Sequence, residues 1–412
     1  MKVQEITLKN FRNIEFTAFS PERDINFLIG SNGQGKTSIL EALSFLSSLR
    51  SFRDSSLSNL IRWSENMSLI SCELSSHHLS HSSDPSVRKS KLQVCFQSMD
   101  PLGQKVTKKA FSNGKSFFSS THYLTQRHGP FQTGFHTVIF NPSDHDLVRG
   151  DPSIRRNFLD RSLAAENLEY LQNLKKYQRA LIQRNVLIKT IKRGGRISEE
   201  ALEGFTESLC KLAAQLVQKR LEWIQRITDP LRQSFHRIAP NVPQLRIVYR
   251  SLWVPSIPLL TMNNELNSSL HFTGQGSLPS LKVLEQAFLK KIKELGSSEK
   301  QVGYSLVGSH RDDWTFFLGE KVLKGHGSQG EIRSALLALK LAEIQLFREM
   351  TGSRPLFLLD DFSSELDGER RSFLMDFLIE TDLQTFVTTT EDLPFVGKRW
   401  CVVKGMIKEG KA

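Results

Sequence analysis

The segment from Ile25 to Leu43, INFLIGSNGQGKTSILEAL, constrains the fold of this chain more than any other. Within it, Gly30 to Thr37 fits the pattern G-x-x-x-x-G-K-[ST], which is typical of a phosphate-binding loop. The apolar run at residues 27–29 precedes the loop and predicts a buried strand. Apolar residues at helical spacing follow it, at Ile39, Leu40, Leu43 and Leu46. The segment therefore predicts a P-loop between a strand and a helix.

The predicted loop has the chemistry to bind a nucleotide and its metal ion. Its three glycines permit backbone angles that turn successive N–H groups towards one point, and the helix N-terminus adds partial positive charge there. Lys36 is expected to reach the outer phosphates, and the Thr37 hydroxyl is expected to bind Mg²⁺. The predicted binding residues are Gly30, Ser31, Asn32, Gly33, Gln34, Gly35, Lys36 and Thr37. An ordinary glycine-rich turn is the alternative, and the strand, the Lys-Thr pair and the helix argue against it.

Composition favours a globular protein with an acidic partner. Of the 412 residues, 39% are hydrophobic and 24% are charged, with a net charge of +12. Excess positive charge favours nucleic acid as a partner, although charge alone is weak evidence. The sequence shows no apolar run of about 20 residues and no signal-peptide core, so we expect a cytoplasmic protein without a membrane partner. The four dispersed cysteines, which form no C-x-x-C pair, agree with a reducing compartment.

A second segment, PLFLLDDFSSELD at residues 355–367, predicts the acidic half of a nucleotide site. Leu356 to Leu359 has the composition of a buried strand, and Asp360 and Asp361 follow at its carboxyl end. Asp360 is expected to hold Mg²⁺, directly or through water. Asp361 is placed to orient or deprotonate an attacking water. A buried strand followed by two helix-capping acids is the alternative interpretation.

A third segment, GHGSQGEIRSALLALKLAEIQLF, predicts a long helix that begins after Gly327. Ser328, Gln329 and Gly330 stand at its start, where a serine and a glycine can form an anion site. By itself this pattern could be a helix cap, and caps are far more common than phosphate-binding sites. Its position before the acidic strand is that of the signature helix in ATPases of the ABC class. There, the signature of one subunit closes over the nucleotide on the P-loop of the other.

The middle of the chain has a different character. Helical patterns begin at Pro152, run from Leu168 to about Ile191, and resume from Ser198 to about Ile227, where Asp229-Pro230 should end or kink the helix. A further helix is expected from about Leu281 to Leu295. Two polar stretches, residues 75–91 and 251–280, are predicted to be a surface loop and an irregular insertion.

Four further stretches carry a family resemblance. They are ITLKNFRNIEF, FNPSDHDLVRGDPSIRRNFLDR, YQRALIQRNVLIK and VGSHRDDW, and they are spread between Ile6 and Trp314. Together with the P-loop, the signature and the acidic strand, they resemble the RecF family, relatives of the SMC head domains. The chain departs from the family pattern at Ser309, where proline is expected, and at Glu331, where glutamine is usual. Asp361 stands where many ABC-class proteins have glutamate, which predicts slow hydrolysis.

The resemblance implies an α/β fold, namely an ABC-type ATPase head with a mixed sheet and an inserted, mainly helical lobe without a long coiled coil. The head would comprise residues 1–145 and 296–412, and the lobe residues 146–295. The implied function is ATP-dependent binding to gapped DNA and to single-strand/double-strand junctions. ATP, with Mg²⁺ as its cofactor, would join two copies into a homodimer, and ADP would let them part. Slow hydrolysis would time the release from DNA. A mediator protein that helps to load recombinase is the implied partner.

Other functions share some of these features. A transporter ATPase subunit has the same three motifs but is normally more compact. A nucleotide-gated scaffold would bind ATP without hydrolysing it. A nuclease would need a further acidic cluster, which the sequence does not show. The basic run from Lys175 to Arg196, with eight lysines and arginines and no acid, fits DNA contact and a solvated helix surface about equally. Arg155 and Arg156 are similar candidates.

Overall fold

The computed structural model describes residues 1–22, 24–53, 56–75, 89–100, 105–128, 133–254, 270–362 and 367–410. Most of the two predicted loops, residues 76–88 and 255–269, lies outside this set. The chain forms two compact units, one of Met1–Asp144 with Glu343–Ala412 and the other of His145–Ala342. We refer to them as the P-loop unit and the inserted unit. No helix among the described residues is both long and apolar enough to span a membrane.

The secondary structure is numbered along the chain. The strands are β1 (Lys2–Phe11), β2 (Ile14–Phe19), β3 (Ile25–Ile29), β4 (Met67–Ser75), β5 (Lys89–Ser98), β6 (Val106–Ser112), β7 (Lys115–Phe117), β8 (Thr137–Phe140), β9 (Leu245–Ser251), β10 (Leu270–Phe272), β11 (Asp313–Leu318), β12 (Lys321–Val322), β13 (Leu356–Leu359), β14 (Thr385–Thr389), β15 (Lys398–Val403) and β16 (Met406–Glu409). The helices are α1 (Lys36–Ser48), α2 (Ser120–Leu124), α3 (His145–Arg149), α4 (Pro152–Glu166), α5 (Leu168–Lys192), α6 (Glu199–Ile238), α7 (Leu281–Val302), α8 (Leu323–His326), α9 (Gln329–Thr351) and α10 (Gly368–Thr381).

A largely parallel sheet positions the predicted nucleotide site. Its strand order is β16-β15-β3-β14-β13-β8, and only the β15–β16 pair is antiparallel. All four residues of β13 and all five of β14 are buried, as expected for strands covered on both faces. The predicted strands at residues 27–29 and 356–359 are thereby confirmed. Because β3, β14 and β13 are parallel neighbours, their carboxyl ends lie at the same edge of the sheet.

A second, antiparallel sheet in the P-loop unit has the order β2-β1-β4-β5-β6-β7. Its strands alternate between buried and exposed residues, and the buried face packs on α1, where the Phe45 and Phe96 rings lie 5.1 Å apart. A hairpin turn at Asn113-Gly114 joins β6 to β7, and both residues have positive φ, as a tight hairpin turn requires. One hydrophobic cluster includes side chains of both sheets and of α1.

The inserted unit combines α4 to α7 with a sheet of order β10-β9-β11-β12. The sequence analysis predicted that Asp229-Pro230 would end or kink the helix. Helix α6 does not end there but continues to Ile238. Leu231 and Phe235 beyond the proline are each 1% exposed, so burial of this face favours continuation despite the missing N–H. The predicted division at residue 295 falls within α7, which runs to Val302. Since β11 pairs with β9, the compact unit extends instead to Ala342.

Buried charges tie the inserted unit together. The Arg184 guanidinium on α5 donates hydrogen bonds to Thr206 on α6, to Ser305, and to Glu299 on α7 at 2.7 Å. The side chains of Arg184 and Glu299 are only 3% and 2% exposed. A second buried arginine, Arg220 on α6, pairs with Asp160 at 2.8 Å. Such pairs satisfy each other's charges inside the unit, so removing one partner leaves the other uncompensated.

We expect Arg184→Ala to lower the free energy of unfolding by about 3–5 kcal/mol, because Glu299 would remain buried without its partner. Arg179→Ala on the exposed face of the same helix is the matched control, with an expected change within about 0.5 kcal/mol. Urea unfolding followed by far-UV circular dichroism measures both variants. Equal transition midpoints for the two variants would contradict the structural role of the buried pair.

Candidate nucleotide-binding site

The predicted P-loop and the predicted acidic pair come together at one edge of the parallel sheet. The P-loop follows β3, Asp360 follows β13, and Thr388 lies at the end of β14 between them. The Thr37 hydroxyl donates a hydrogen bond to Asp360 Oδ1 at 2.8 Å, across 323 positions of sequence. Topology therefore unites the two motifs, which the sequence alone could only suggest.

The glycines of the P-loop serve two different needs. Gly33 and Gly35 have φ values of +79° and +106°, which L side chains rarely adopt. Gly30 does not have a positive φ. A Cβ atom there would lie 2.4 Å from the carbonyl oxygen of Val402 on β15, so Gly30 is required by close packing of the backbone. The sequence interpretation, which gave all three glycines the same role, was wrong for Gly30.

Neighbouring segments hold the loop in place. The Asn13 side chain donates a hydrogen bond to the Gly33 carbonyl at 3.0 Å. From the β15–β16 turn, the Lys404 N–H donates to Gln34 Oε1 at 2.6 Å and the Gly405 N–H donates to the Gln34 carbonyl at 2.8 Å. Gln34 thus anchors the loop to the β15–β16 turn, because both its side chain and its carbonyl accept hydrogen bonds from backbone N–H groups of that turn. This preorganisation reduces the ordering cost of binding a phosphate.

Lys36 lies at the N-terminus of α1, and its side chain turns back over the loop. Its ammonium donates hydrogen bonds to the carbonyl oxygens of Gly30 and Ser31, the latter at 2.9 Å. Burial lowers the pKa of Lys36, and the nearby carboxylates of Asp361 and Asp360 act in the opposite direction. A cation held in this way beside two acids is suited to pair with phosphate oxygens.

Asp360 is held by hydroxyl groups on two sides. Thr388 donates to the same Oδ1 atom as Thr37, at 2.7 Å, and Asp360 is 7% exposed. Burial raises the pKa of Asp360, while the two hydroxyl hydrogen bonds lower it. The Asp360 carboxylate and the Thr37 hydroxyl supply neighbouring hard oxygen donors, which is the donor set that Mg²⁺ prefers. The residues present therefore fit a magnesium ion.

Asp361 has an uncommon backbone conformation. Its φ is +55°, in the left-handed region, and its N–H donates to the Thr388 hydroxyl at 2.8 Å. Non-glycine residues in this region are uncommon and concentrate at functional sites. Thr388 therefore contacts both acids, through its hydroxyl as donor to Asp360 and as acceptor from Asp361. This positioning role of Thr388 was not recognised from the sequence.

These groups line one cavity of about 1760 Å³ in the P-loop unit. Its lining includes Asn32, Gly33, Gln34, Gly35, Lys36 and Thr37 of the loop, the acids Asp360 and Asp361, and Thr388. Further lining comes from the region after α1, between Phe52 and Asn66, and from Asn141 to Ser143 after β8. Among the described residues no cluster of three or more His, Cys, Asp or Glu side chains could hold a metal.

An arginine–glutamate pair beside the cavity was not recognised from the sequence. Glu41 on α1 is fully buried, and it accepts hydrogen bonds from Arg12 Nε at 2.9 Å and from the Ser51 hydroxyl at 2.5 Å. The pair ties β1 and the segment after α1 to the P-loop helix. The available signals were a glutamate on an apolar helix face and the Asn-Phe-Arg-Asn element at residues 10–13, and the former was overlooked.

The predicted signature residues belong to the inserted unit, where they begin α9. The Ser328 hydroxyl accepts a hydrogen bond from the Glu331 N–H at 3.2 Å, and the Glu331 carboxylate accepts one from the Ser328 N–H at 2.7 Å. This reciprocal pair is a capping box. It accounts for Glu331 at a position where the resemblance predicts glutamine, since either residue can complete a capping box. Ser328 and Gln329 are exposed, and Gly330 is half-buried.

Several basic residues proposed as DNA contacts have structural partners. Arg155 is 4% exposed and makes two hydrogen bonds to the Asp313 carboxylate, at 2.8 and 2.9 Å. Arg156 donates to the Asp312 carbonyl, and Arg184 is buried against Glu299. Burial of Arg155 against Asp313 fits neither of the two interpretations that the sequence left open for it, DNA contact or solvated surface. The basic residues of α5 and its C-terminal end that are exposed are Lys176, Arg179, Lys189, Lys192, Arg193 and Arg196.

Comparison with known proteins identifies the family. The model of the RecF/RecN/SMC N-terminal domain matches residues 2–397. The DNA replication and repair protein RecF of Halalkalibacterium halodurans is 34% identical over 392 residues, which cover 95% of this chain and 93% of that protein. The protein of the same name from Geotalea daltonii is 31% identical over 392 residues, with the same two coverages.

Solved structures agree with the sequence matches. The recombination mediator protein RecF-ATPrS in the RecFOR pathway aligns with a TM-score of 0.79 at 26% identity, covering 99% of this chain and 97% of that one. An Smc head bound to the C-terminal winged-helix domain of ScpA aligns with a TM-score of 0.51 at 14% identity, covering 99% and 96%, which shows a shared fold. The predicted ABC-type ATPase head fold is thereby confirmed. The chain belongs to the RecF family of DNA replication and repair proteins.

Proposed function

We propose that this protein is an ATP-dependent DNA-binding protein of recombinational repair and replication. ATP would join two copies into a dimer on gapped DNA or at single-strand/double-strand junctions, where the dimer helps a mediator partner to load recombinase. The observation that carries the proposal is the convergence of Lys36, Thr37, Asp360 and Asp361 in one cavity of a RecF-family chain. The solved RecF structures, of RecF-ATPrS and RecF-ATP, support ATP as the nucleotide. A cytoplasmic location is part of the same proposal.

The P-loop and the acidic residues of the cavity have separate proposed roles in binding and hydrolysing ATP. The N–H groups of the P-loop and the Lys36 ammonium bind the outer phosphates, which lowers the negative charge that repels an attacking water. Thr37 and Asp360 would hold Mg²⁺, which would supply further charge neutralisation when bound. Asp361 orients the water and accepts its proton at a carboxylate oxygen. Because Asp361 is shorter than the glutamate of many ABC-class enzymes, we expect turnover to be slow.

The dimer is proposed to form through the signature residues. Ser328 and Gln329 are exposed at the N-terminus of α9, a helix of 23 residues whose dipole favours anions. They would bind the terminal phosphate of a nucleotide held by the P-loop of the other copy. Hydrolysis removes that phosphate, so the affinity between copies would fall and the DNA would be released.

Contact with DNA is proposed for the exposed basic face of α5. Lys176 and Arg179 are exposed and lie three positions apart, so they occupy one side of the helix. The net charge of +12 supports an acidic partner. Each phosphate neutralised by such a residue releases counterions, which adds affinity without sequence readout.

Light scattering tests the nucleotide-dependent dimer. We expect the wild type to double in mass when ATP is added, and both Lys36→Ala and Ser328→Ala to stay monomeric. Lys36→Ala removes the contact with the phosphates, whereas Ser328→Ala removes the contact from the second copy. Ser372→Ala, at an exposed serine of α10, is the matched control and should dimerise normally. Normal dimerisation of Ser328→Ala would refute the assignment of the signature.

Phosphate release tests the role of Asp361. We expect Asp361→Asn to reduce ATP hydrolysis by about 10²–10⁴-fold, the range for loss of a general base, while the ATP-bound dimer persists. Asp376→Asn, at an exposed aspartate of α10, should hydrolyse ATP like the wild type. A wild type that dimerises with ATP but shows no turnover would instead be a nucleotide-gated scaffold.

Salt-dependent DNA binding tests the α5 surface. We expect the double variant Lys176→Ala/Arg179→Ala to bind gapped duplex more weakly and to reduce the slope of log affinity against log salt by about two. The control is Lys290→Ala/Lys293→Ala, which removes two exposed lysines from α7. Fluorescence anisotropy over a salt series measures both slopes. Identical slopes for the two double variants would place the DNA contact elsewhere.

A further inference from the structure

Trp63 differs from every other tryptophan of the chain. It is 91% exposed, whereas the four others, Trp223, Trp253, Trp314 and Trp400, are each at most 8% exposed. Folding therefore buries almost none of the Trp63 indole, and the stability of the P-loop unit does not depend on it. An exposed indole offers a flat apolar surface together with one N–H donor, which suits it to contact another molecule.

The backbone that presents Trp63 is firmly held. The Arg62 N–H donates to the Asn10 carbonyl at 2.9 Å, and the Arg12 N–H donates to the Leu60 carbonyl at 3.0 Å. Ile61 forms an antiparallel bridge with Phe11 of β1. These bonds fix the segment before Trp63 to β1, and the Ser98 N–H, which donates to the Asn66 carbonyl at 2.9 Å, holds the segment after it. The indole is thus carried on a preorganised turn, so its use in binding costs little backbone entropy.

Trp63 lines the same cavity as the P-loop, together with Gly33, Lys36 and Asp360. Among the charged side chains beside Trp63, the acids outnumber the bases. Arg62 pairs with Glu15 at 3.1 Å, and Glu65 lies 4.0 Å from the same guanidinium, so two acids face one base. A polyanionic strand would be repelled by the extra acid, whereas an uncharged ring would not. The two acids beside Trp63 therefore favour an uncharged ring at the indole, whereas Lys36 in the same cavity favours the phosphates.

We infer that Trp63 is the base-binding residue of this nucleotide site and that its indole stacks on the purine ring of the bound nucleoside triphosphate. The inference rests on the proposed nucleotide binding and adds the element that recognises the base. Stacking on an indole is stronger for a purine than for a pyrimidine because the overlapping area is larger, and it does not distinguish adenine from guanine. ATP and GTP should therefore bind with similar affinity, and CTP and UTP more weakly.

The test compares ATP with inorganic triphosphate, which has the phosphates but lacks the base. Both are titrated by calorimetry into the full-length wild type, Trp63→Ala, Trp63→Phe and Lys36→Ala. We expect Trp63→Ala to weaken ATP binding about tenfold while triphosphate binding is unchanged, and Trp63→Phe to keep most of the ATP affinity. Phe118→Ala, at an 85% exposed aromatic residue that does not line the cavity, is the matched control and should bind ATP normally.

Tryptophan fluorescence gives a second readout. Since Trp63 is the one exposed tryptophan of the five, we expect ATP to quench the emission of the wild type and to leave that of Trp63→Phe unchanged. Unaltered ATP affinity in Trp63→Ala, with binding lost in Lys36→Ala, would overturn the inference and leave the proposed function intact. Retained ATP affinity with weakened binding of single-stranded DNA would also overturn it, because Trp63 would then contact nucleic acid. Full ATP affinity in Lys36→Ala would refute nucleotide binding by the P-loop itself.

Discussion

The hydrogen bonds that converge on Asp360 Oδ1 are the constraint on which the site depends. Thr37 from the P-loop and Thr388 from β14 both donate to this one atom, at 2.8 and 2.7 Å. Burial alone would favour the protonated carboxyl, whereas the two hydroxyl donors favour the carboxylate. The same bonds fix the distance between the phosphate-binding loop and the acidic strand. Any displacement of β13 or of the loop would break them, so the geometry of the site and the integrity of the sheet edge are coupled.

This coupling explains how an insertion of nearly two hundred residues is tolerated between the two halves of the site. The inserted unit, His145–Ala342, leaves the P-loop unit after β8 and returns before β13, and these two strands are parallel neighbours. The chain therefore leaves and re-enters the P-loop unit next to two strands, β8 and β13, whose register is fixed by the backbone hydrogen bonds between them. The ladder holds Asp360 opposite Thr37 whatever the length of the intervening chain. The entropic cost of closing a loop rises only slowly with its length, so a long insertion adds little to the free-energy cost of folding the P-loop unit.

The sequence predicted the elements with local signals and missed the interactions that depend on tertiary contacts. The P-loop, the acidic strand and the course of α5 each have a period or motif within a short window, and the structure contains them. Arg155 and Arg184 resembled surface charges, because nothing in their own helices reveals Asp313 or Glu299 across the unit. Pro230 suggested a helix end, yet burial of Leu231 and Phe235 outweighs the missing N–H. Gly30 looked like its neighbouring glycines, and only the approach of Val402 distinguishes it.

The two ends of a nucleotide would have different tasks in this cavity. A ligand shifts an equilibrium between two states only by the difference in its affinity for them. Stacking on Trp63 would be the same for ATP and ADP, since hydrolysis leaves the base unchanged. It can therefore set how tightly nucleotide is held, but it cannot report whether the terminal phosphate is present. The groups at the phosphate end would distinguish ATP from ADP, namely Lys36, Asp360 and Asp361 with the signature of a second copy. Retention and switching would thus be supplied by separate contacts within one cavity, and either could be altered by mutation without the other.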